Sequence, residues 1–240
     1  MKKIVVAPDS FKGSLTSAEV ADAVERGIKD VFPQCNVVKA GVADGGEGTV
    51  EAIVKAVGGD MYAASVTDPL GRPIKAAYGI VRSGGVKTAV MEMSAASGLP
   101  LLLPDELNPW ITSTYGTGEM ISDALNRGCR KFLVGIGGSA TNDAGTGMLS
   151  ALGVRFLDSR GQRLKGCGKD LESIARIDMS SLIPAARESE FIVACDVNTP
   201  FCGPDGAARV FAPQKGADPQ TAEALDRGMR SFAQVIAGQF

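Results

Sequence analysis

The segment that most directly suggests chemistry is a glycine-rich stretch with several small polar side chains. Residues 135–147 read GIGGSATNDAGTG and follow an apolar run that is typical of a buried strand. Glycines let main-chain amides approach an anion closely, and a following helix N-terminus adds a partial positive charge. A strand, a glycine-rich turn and a helix in this order predict a phosphate-binding loop. Its predicted ligand contacts are Gly137, Gly138, Ser139, Thr141 and Asn142.

Asp143 follows these residues and has two interpretations. Carboxylate oxygens are ligands that Mg²⁺ takes in phosphate sites, so Asp143 is a candidate metal ligand. It can equally cap the helix that we expect over about residues 143–152. In that second interpretation the whole stretch is a structural strand-to-helix turn.

The same stretch also fits a pattern found in dinucleotide-binding proteins. Gly135, Gly137 and Ala140 match GxGxxA, and Asp158 ends the next predicted strand, where an acid that binds a ribose belongs. A nicotinamide-dependent oxidoreductase is therefore an alternative function. Against it, the loop continues through NDAGTG before a helix can begin, whereas the dinucleotide fingerprint opens its helix inside the motif. The Walker motif GxxxxGK[ST] does not occur in the sequence.

A second glycine-rich segment, DGGEGT at residues 44–49, lies between a predicted strand and a predicted helix. Asp44 and Glu47 flank a pair of glycines, and such carboxylates can bind a cation or accept hydrogen bonds from substrate hydroxyls. Helix capping is the alternative, because an acid at a helix N-terminus is favourable by itself.

Four further side chains occupy positions suited to ligand binding. Ser10 and Lys12 come after the first predicted strand, where α/β sheets bind ligands, and Lys12 can neutralise a carboxylate or phosphate. Asp196 leaves the strand predicted at residues 191–195, and Lys215 stands before a glycine. A solvated lysine at position 12 and a capping aspartate at position 196 are the structural alternatives.

The composition limits the chemistry that is available. The chain has 240 residues, of which 45% are hydrophobic, enough for one large or two small domains. It contains no histidine, which excludes Ser-His-Asp and Cys-His nucleophile systems, a His-ligated metal and an imidazole base. With 25 basic and 27 acidic side chains the net charge is −2, so nothing favours nucleic acid or an anionic membrane as a partner.

Cysteine usage and hydropathy suggest the compartment. The five cysteines include no CxxC pair and are odd in number, so we expect reduced thiols and a cytoplasmic location. The N-terminal apolar run is too short for a signal peptide, and no stretch approaches the roughly 20 apolar residues that span a bilayer.

The elements that position these residues are of the α/β class. Strand, loop and helix alternate twice in the first sixty residues, and residues 61–93 then predict an antiparallel meander. We place a domain boundary there, between an N-terminal α/β segment, 1–60, and a second α/β domain, 61–240. Because no flexible linker marks this boundary, we expect the N-terminal segment to belong to a discontinuous domain.

The chain ends on an amphipathic helix. Ala222, Leu225, Met229, Phe232 and Ile236 recur at steps of three and four residues. We expect the partner of this apolar stripe to come from earlier in the chain, from another subunit of a homo-oligomer, or from an absent part of the chain.

Taken together, these segments resemble the type 1 glycerate kinase family. The matching stretches follow one another through nearly the whole chain: APDSFKGSLT (7–16), VADGGEGT (42–49), TSTYGTGE (112–119), GIGGSATNDAGTGM (135–148), ACDV (194–197) and GAARVFAPQKGA (206–217). The resemblance implies ATP-dependent, Mg²⁺-assisted phosphorylation of D-glycerate, usually to 2-phosphoglycerate. It also implies two α/β domains, with flavodoxin-like and restriction-endonuclease-like parts.

Within that activity, residue types suggest the individual roles. The glycine-rich loop binds the nucleotide phosphates, Asp143 or Asp196 binds Mg²⁺, and Asp196 or Asp44 orients or deprotonates the glycerate hydroxyl. Lys215 balances charge in the transition state. The expected substrate contacts are Ser10, Lys12 and Glu47.

The end of the chain departs from the family pattern. Family members carry another Gly/Ala-rich run and a GEG-type acidic segment beyond the matching stretches, and neither occurs here. We therefore expect a C-terminally truncated member. An inactive fragment that still binds ligand is a further alternative.

Overall fold

The computed structural model of the protein describes residues 3–8, 11, 14–40, 48–195 and 197–240. Its strands are β1 (Lys3–Val6), β2 (Asn36–Lys39), β3 (Gly59–Thr67), β4 (Pro73–Ser83), β5 (Val86–Glu92), β6 (Lys131–Gly135), β7 (Arg155–Leu157), β8 (Arg176–Asp178) and β9 (Glu190–Ala194). Its α-helices are α1 (Ser17–Val31), α2 (Thr49–Val57), α3 (Ser94–Ser97), α4 (Tyr115–Asn126), α5 (Thr146–Ala151), α6 (Pro184–Arg187), α7 (Ala207–Phe211) and α8 (Pro219–Gln239).

A five-stranded sheet forms the centre of the described chain, in the order β3-β4-β5-β6-β9. Strands β3, β4 and β5 are antiparallel neighbours, which confirms the predicted meander. Strands β5, β6 and β9 are parallel. The predicted α/β class is therefore confirmed, with one mixed sheet that joins a hairpin half to a parallel half.

Apolar residues of the sheet and of α4 pack into one core. Tyr78, Met91, Met120 and Phe132 are almost fully buried there. A second core lies under α8 and contains Phe156, Leu171 and Phe232, among others. Residues from earlier in the same chain thus cover the apolar stripe of α8, which is the first of the three predicted alternatives. Ile236, the last residue of the predicted stripe, stays 40% exposed.

The N-terminal residues form a small unit of their own. Strands β1 and β2 pair in parallel, and α1 begins with a capping box between Thr16 and Glu19, which have the types and spacing of this motif. Helix α2 instead packs on the five-stranded sheet, where Val50 and Val54 contact Val90. The domain boundary near residue 60, and the flavodoxin-like and restriction-endonuclease-like assignments, stay predictions.

The helix predicted over residues 143–152 is shorter than expected. Helix α5 begins at Thr146, because Ala144 and Gly145 have φ of +50° and +75°, which no α-helix allows. In the described part of the chain, no helix is both long and apolar enough to cross a membrane.

Candidate active site

Three parallel strands end together at one edge of the five-stranded sheet. Glu92 at the end of β5, Gly135 at the end of β6 and Ala194 at the end of β9 are paired in register. The segments that follow these strands therefore start side by side. In open α/β sheets, ligands bind outside the carboxyl ends of parallel strands, so this edge is the candidate active site.

The glycine-rich loop is anchored to the segment that follows β5. Leu99 N donates to Gly138 O over 2.9 Å, and Ala140 N donates to Ser97 O over the same distance. Thr112 Oγ1 binds Ala140 O from another side. Gly138 has a φ of +69°, a conformation that favours glycine. The loop is thus fixed through the carbonyls of Gly138 and Ala140 and through the amide of Ala140.

Two adjacent main-chain amides of this loop are left for other acceptors. Gly137 and Gly138 donate from their N–H groups to no acceptor within the described residues. Gly138 is exposed and Gly137 is partly exposed. Two adjacent open amides at a strand end are the arrangement that binds phosphate oxygens.

Lys215 reaches this loop from a 3₁₀ turn at Pro213–Lys215. Its Nζ donates to Ser139 Oγ over 2.7 Å and to Thr141 O over 2.6 Å. The lysine is 7% exposed, and no carboxylate lies within ion-pair distance of it among the described residues. Burial lowers the pKa of Lys215 to about 8, while the charge of Asp143 acts in the opposite direction. A buried cation without a paired anion is suited to an anionic ligand.

Asp143 is buried and accepts hydrogen bonds at both carboxylate oxygens. Thr114 donates to Oδ2 from its amide and its hydroxyl, each over 2.8 Å, and Gly147 N donates to the same atom. Gly145 N donates to Oδ1. Burial raises the pKa of Asp143, and these hydrogen bonds oppose the rise. The contacts agree with the capping alternative, and the role of Asp143 as a metal ligand stays a prediction.

The side chains of Thr141 and Asn142 are also buried. Asn142 Nδ2 donates to the sulfur of Met229 on α8 over 3.3 Å, and the carbonyl of Thr141 accepts from Lys215. Both residues thus support the loop from inside the protein. A direct contact of either with a nucleotide remains a prediction.

Sequence reasoning assigned no individual role to the TSTYGTGE segment, which nevertheless holds the loop together. Thr112 binds the loop carbonyl of Ala140, and Thr114 binds Asp143 and also Met148 N. Thr117 Oγ1 pairs with Ser97 Oγ at 2.7 Å. The sequence feature that could have indicated the role of these threonines is the high number of hydroxyl side chains in the TSTYGTGE segment.

The remaining predicted site residues lie outside the residues that the structure describes. These are Ser10, Lys12, Asp44, Glu47 and Asp196. Cys195 and Val197, on either side of Asp196, are described and exposed at the same sheet edge. Within the described residues, no group of three or more Cys, Asp or Glu side chains is arranged to hold a metal ion. The described residues therefore do not by themselves fit a magnesium site.

The dinucleotide alternative does not agree with the structure. Asp158 follows β7, which pairs only with β8 in a separate antiparallel sheet, whereas a ribose-binding acid ends the strand beside the glycine turn. Its Oδ1 caps a turn by accepting from Arg160 N and Gln162 N. The helix also begins ten residues or so after β6 rather than inside the motif. This alternative is wrong.

Comparison with known proteins places this arrangement in a family. The sequence pattern of the Glycerate kinase family matches residues 4–240, and the chain belongs to that family. It is 50% identical over 233 residues to the glycerate kinase of Haemophilus influenzae and 47% identical over 234 residues to the glycerate 2-kinase of Escherichia coli. A solved structure of a candidate glycerate kinase 2 from Salmonella typhimurium LT2 superposes with a TM-score of 0.83 at 46% identity.

The matches differ in length from this chain. The alignments cover 97% and 98% of this chain but only 61% of the Haemophilus and Escherichia proteins. The solved Salmonella structure is covered to 63%, against 99% of this chain. The chain thus spans about three fifths of the length of the relatives it matches.

Proposed function

We propose that the protein phosphorylates D-glycerate with ATP, giving 2-phosphoglycerate. Membership of the Glycerate kinase family and the 47% identity to a protein named glycerate 2-kinase support the substrate and the product. The observation that carries the proposal is structural: the open amides of Gly137 and Gly138 lie in the same loop as Ser139, which the buried Lys215 contacts.

The loop would bind the phosphate groups of ATP through main-chain and side-chain donors. The amides of Gly137 and Gly138 and the hydroxyl of Ser139 supply neutral donors. An ammonium group carries three protons, and Lys215 uses two of them on Ser139 and Thr141. Its third proton is available for a phosphoryl oxygen, where the positive charge offsets charge that develops during transfer.

Substrate binding and proton transfer are proposed for residues outside the described part of the chain. Lys12 and Ser10 would bind the glycerate carboxylate, and Glu47 would accept from a substrate hydroxyl. Asp196, which follows the parallel strand β9, or Asp44 would take the hydroxyl proton as the phosphoryl group is transferred. This role of Asp196 is supported by the position of Ala194, two residues earlier, which ends β9 beside the end of β6.

A magnesium requirement belongs to the same proposal. Mg²⁺ would neutralise phosphate charge, and Asp196 is the better candidate ligand because both oxygens of Asp143 already accept hydrogen bonds. We also propose that the enzyme acts in the cytoplasm, in keeping with cysteines that are odd in number and include no CxxC pair.

Turnover and nucleotide binding test the proposal separately. The 240-residue chain is titrated with an ATP analogue and with NADH, and glycerate-dependent ADP release is measured in a coupled assay. Asp196→Asn and Lys12→Ala should each lower turnover by orders of magnitude. Lys75→Ala, at an exposed lysine on β4 in the antiparallel half of the sheet, is the matched control for Lys12→Ala.

Three results would contradict parts of this proposal. Near-normal rates of Asp196→Asn and Lys12→Ala would remove those residues from the site. Binding of NADH without binding of the ATP analogue would contradict the kinase assignment. Binding of the ATP analogue without turnover would leave a ligand-binding protein rather than an active enzyme.

A further inference from the structure

A cavity beside α5 has no role in the proposed reaction. It has a volume of about 520 Å³ and lies between the turn that joins β3 to β4, the segment before α4, the end of α5 and residues 163–167. We call it the Ser150 cavity. Neither Lys215 nor any residue of 135–143 lines it. Its size is within the range of small-molecule sites, roughly 300–1,000 Å³.

The hydroxyl of Ser150 lies behind the wall of this cavity. Ser150 is 5% exposed, and its Oγ has no hydrogen-bond partner within the described residues. Buried hydroxyls are nearly always hydrogen-bonded, because an unmade bond costs about 1–3 kcal/mol. Other polar groups of the cavity are already engaged: the hydroxyl of Ser113, for example, donates to Gly166 O. Because Ser150 Oγ has almost no accessible surface, it does not face the cavity, and the contacts of a ligand come from the other lining groups.

The charges around the cavity favour an anion. Arg163 and Lys165 line it, are exposed and form no ion pair with any described residue. The acidic residue of the lining, Asp68, is buried and already paired with Arg72, and it accepts from two main-chain amides as well. Two cations thus face a cavity whose own carboxylate is neutralised.

The rest of the wall is apolar. Pro69, Leu70, Ile111 and Leu164 line the cavity beside the two cations. Apolar walls with a few convergent polar groups are typical of sites for small organic molecules. We propose that the Ser150 cavity binds a small organic anion, with its acid group against Arg163 and Lys165 and its apolar body against these side chains.

Four ligands that share one ring but differ in charge test this proposal. The 240-residue chain is titrated by calorimetry with phenyl phosphate, benzoate, benzyl alcohol and benzamidine. Phenyl phosphate and benzoate should bind at least about tenfold more tightly than neutral benzyl alcohol, and cationic benzamidine should not bind. The ratio of the two anions shows whether the site prefers phosphate or carboxylate.

Variants show whether the cavity is the place of binding. Arg163→Ala and Lys165→Ala should each weaken binding of the better anion about five- to tenfold. Arg160→Ala is the matched control, since this arginine lies three residues before Arg163, has a side chain 77% exposed and does not line the cavity. Circular dichroism and thermal unfolding confirm that each variant is folded.

Two outcomes would overturn the proposal. One is that neither anion binds more tightly than benzyl alcohol. The other is that Arg160→Ala weakens binding as much as Arg163→Ala, which would indicate a general effect of charge. The titrations use neither ATP nor glycerate, so their failure is distinct from failure of the proposed kinase activity.

Discussion

Nζ of Lys215 donates a hydrogen bond to Ser139 Oγ over 2.7 Å, between residues 76 positions apart in the sequence. The same ammonium group binds the carbonyl of Thr141, so it fastens both sides of Ala140 in the glycine-rich loop. A lysine buried in this way has lost much of its hydration without gaining a paired anion. Its position is therefore better explained by a ligand than by stability.

Replacing Lys215 should separate activity from stability. If the proposed kinase activity holds, Lys215→Met should lower kcat/KM for ATP by at least about 100-fold, because the charge that we propose to act in the transition state would be lost. The free energy of unfolding should change by less than about 1 kcal/mol, since the lost hydrogen bonds offset the relief of burying a charge. Coupled assays and urea unfolding measure the two effects. A large loss of stability with retained activity would assign Lys215 to the fold alone.

The pKa of Lys215 predicts how activity depends on pH. Because burial lowers this pKa to about 8, the free enzyme loses the ammonium charge as the pH rises through 8. We expect kcat/KM to fall above about pH 8, since kcat/KM reports the free enzyme. Lys215→Arg keeps its charge at these pH values, so its residual activity should not show this fall. If kcat/KM of Lys215→Arg falls in the same way, the pH dependence arises from the titration of another group.

The same pKa also fixes the sign of a stability effect. In the unfolded chain the lysine keeps its proton up to its usual pKa of 10.5, above the folded value of about 8. Between these two pH values the unfolded state binds more protons, so the contribution of Lys215 to stability rises with pH. Below pH 8 the cost of burying the charge is fully present. The free energy of unfolding of the parent chain, measured in urea across pH 7–10, should therefore rise relative to that of Lys215→Met as the pH increases above 8.

Thr114 holds Asp143 in place, and its removal should weaken the fold. Thr114→Val keeps the shape but removes the hydroxyl that binds Asp143 Oδ2 and accepts from Met148 N. We expect a loss of about 2–4 kcal/mol in the free energy of unfolding, because a buried carboxylate loses a donor and an amide loses its acceptor. Thr49→Val is the control, because the buried hydroxyl of Thr49 has no hydrogen-bond partner within the described residues. Equal losses in both variants would show that the Asp143 contact contributes little.

Gly147 allows close packing at the start of α5. A Cβ there would lie 2.1 Å from Ser113 Oγ and 2.9 Å from both Asp143 Oδ2 and Thr114 N. Gly147→Ala should therefore lower the free energy of unfolding by about 3 kcal/mol or more and weaken nucleotide binding. At Gly27 in α1 a Cβ meets nothing within 4 Å, so Gly27→Ala should stabilise the protein by about 0.5–1 kcal/mol. Thermal and urea unfolding of both variants check this contrast.

Local sequence patterns were enough to predict several elements. The bounds of α2 follow from its apolar spacing and from the glycines after it. The capping box of α1 follows from a threonine at position 16 and a glutamate three residues later. The alternating runs after Gly59 predict the meander. These features depend on neighbours in the chain, which a single sequence displays directly.

The contacts that define the candidate site depend on residues far apart in the sequence. Thr114 meets Asp143, and Lys215 meets Ser139, only because three parallel strands bring their ends to one edge of the sheet. The sequence alone left Asp143 between capping a helix and binding a metal, and left Asp158 available for a ribose. The tertiary structure separated these alternatives for Asp158, since pairing of β7 with β8 removes it from the glycine turn.

The sequence by itself therefore determined the α/β class, the position of the glycine-rich loop and the absence of imidazole chemistry, because these follow from residue types and their local order. Only the tertiary structure decided that Lys215 is buried against that loop and that the stripe of α8 is covered within the chain. Burial and its effect on a pKa arise from residues packed from elsewhere in the chain, and no local pattern specifies them.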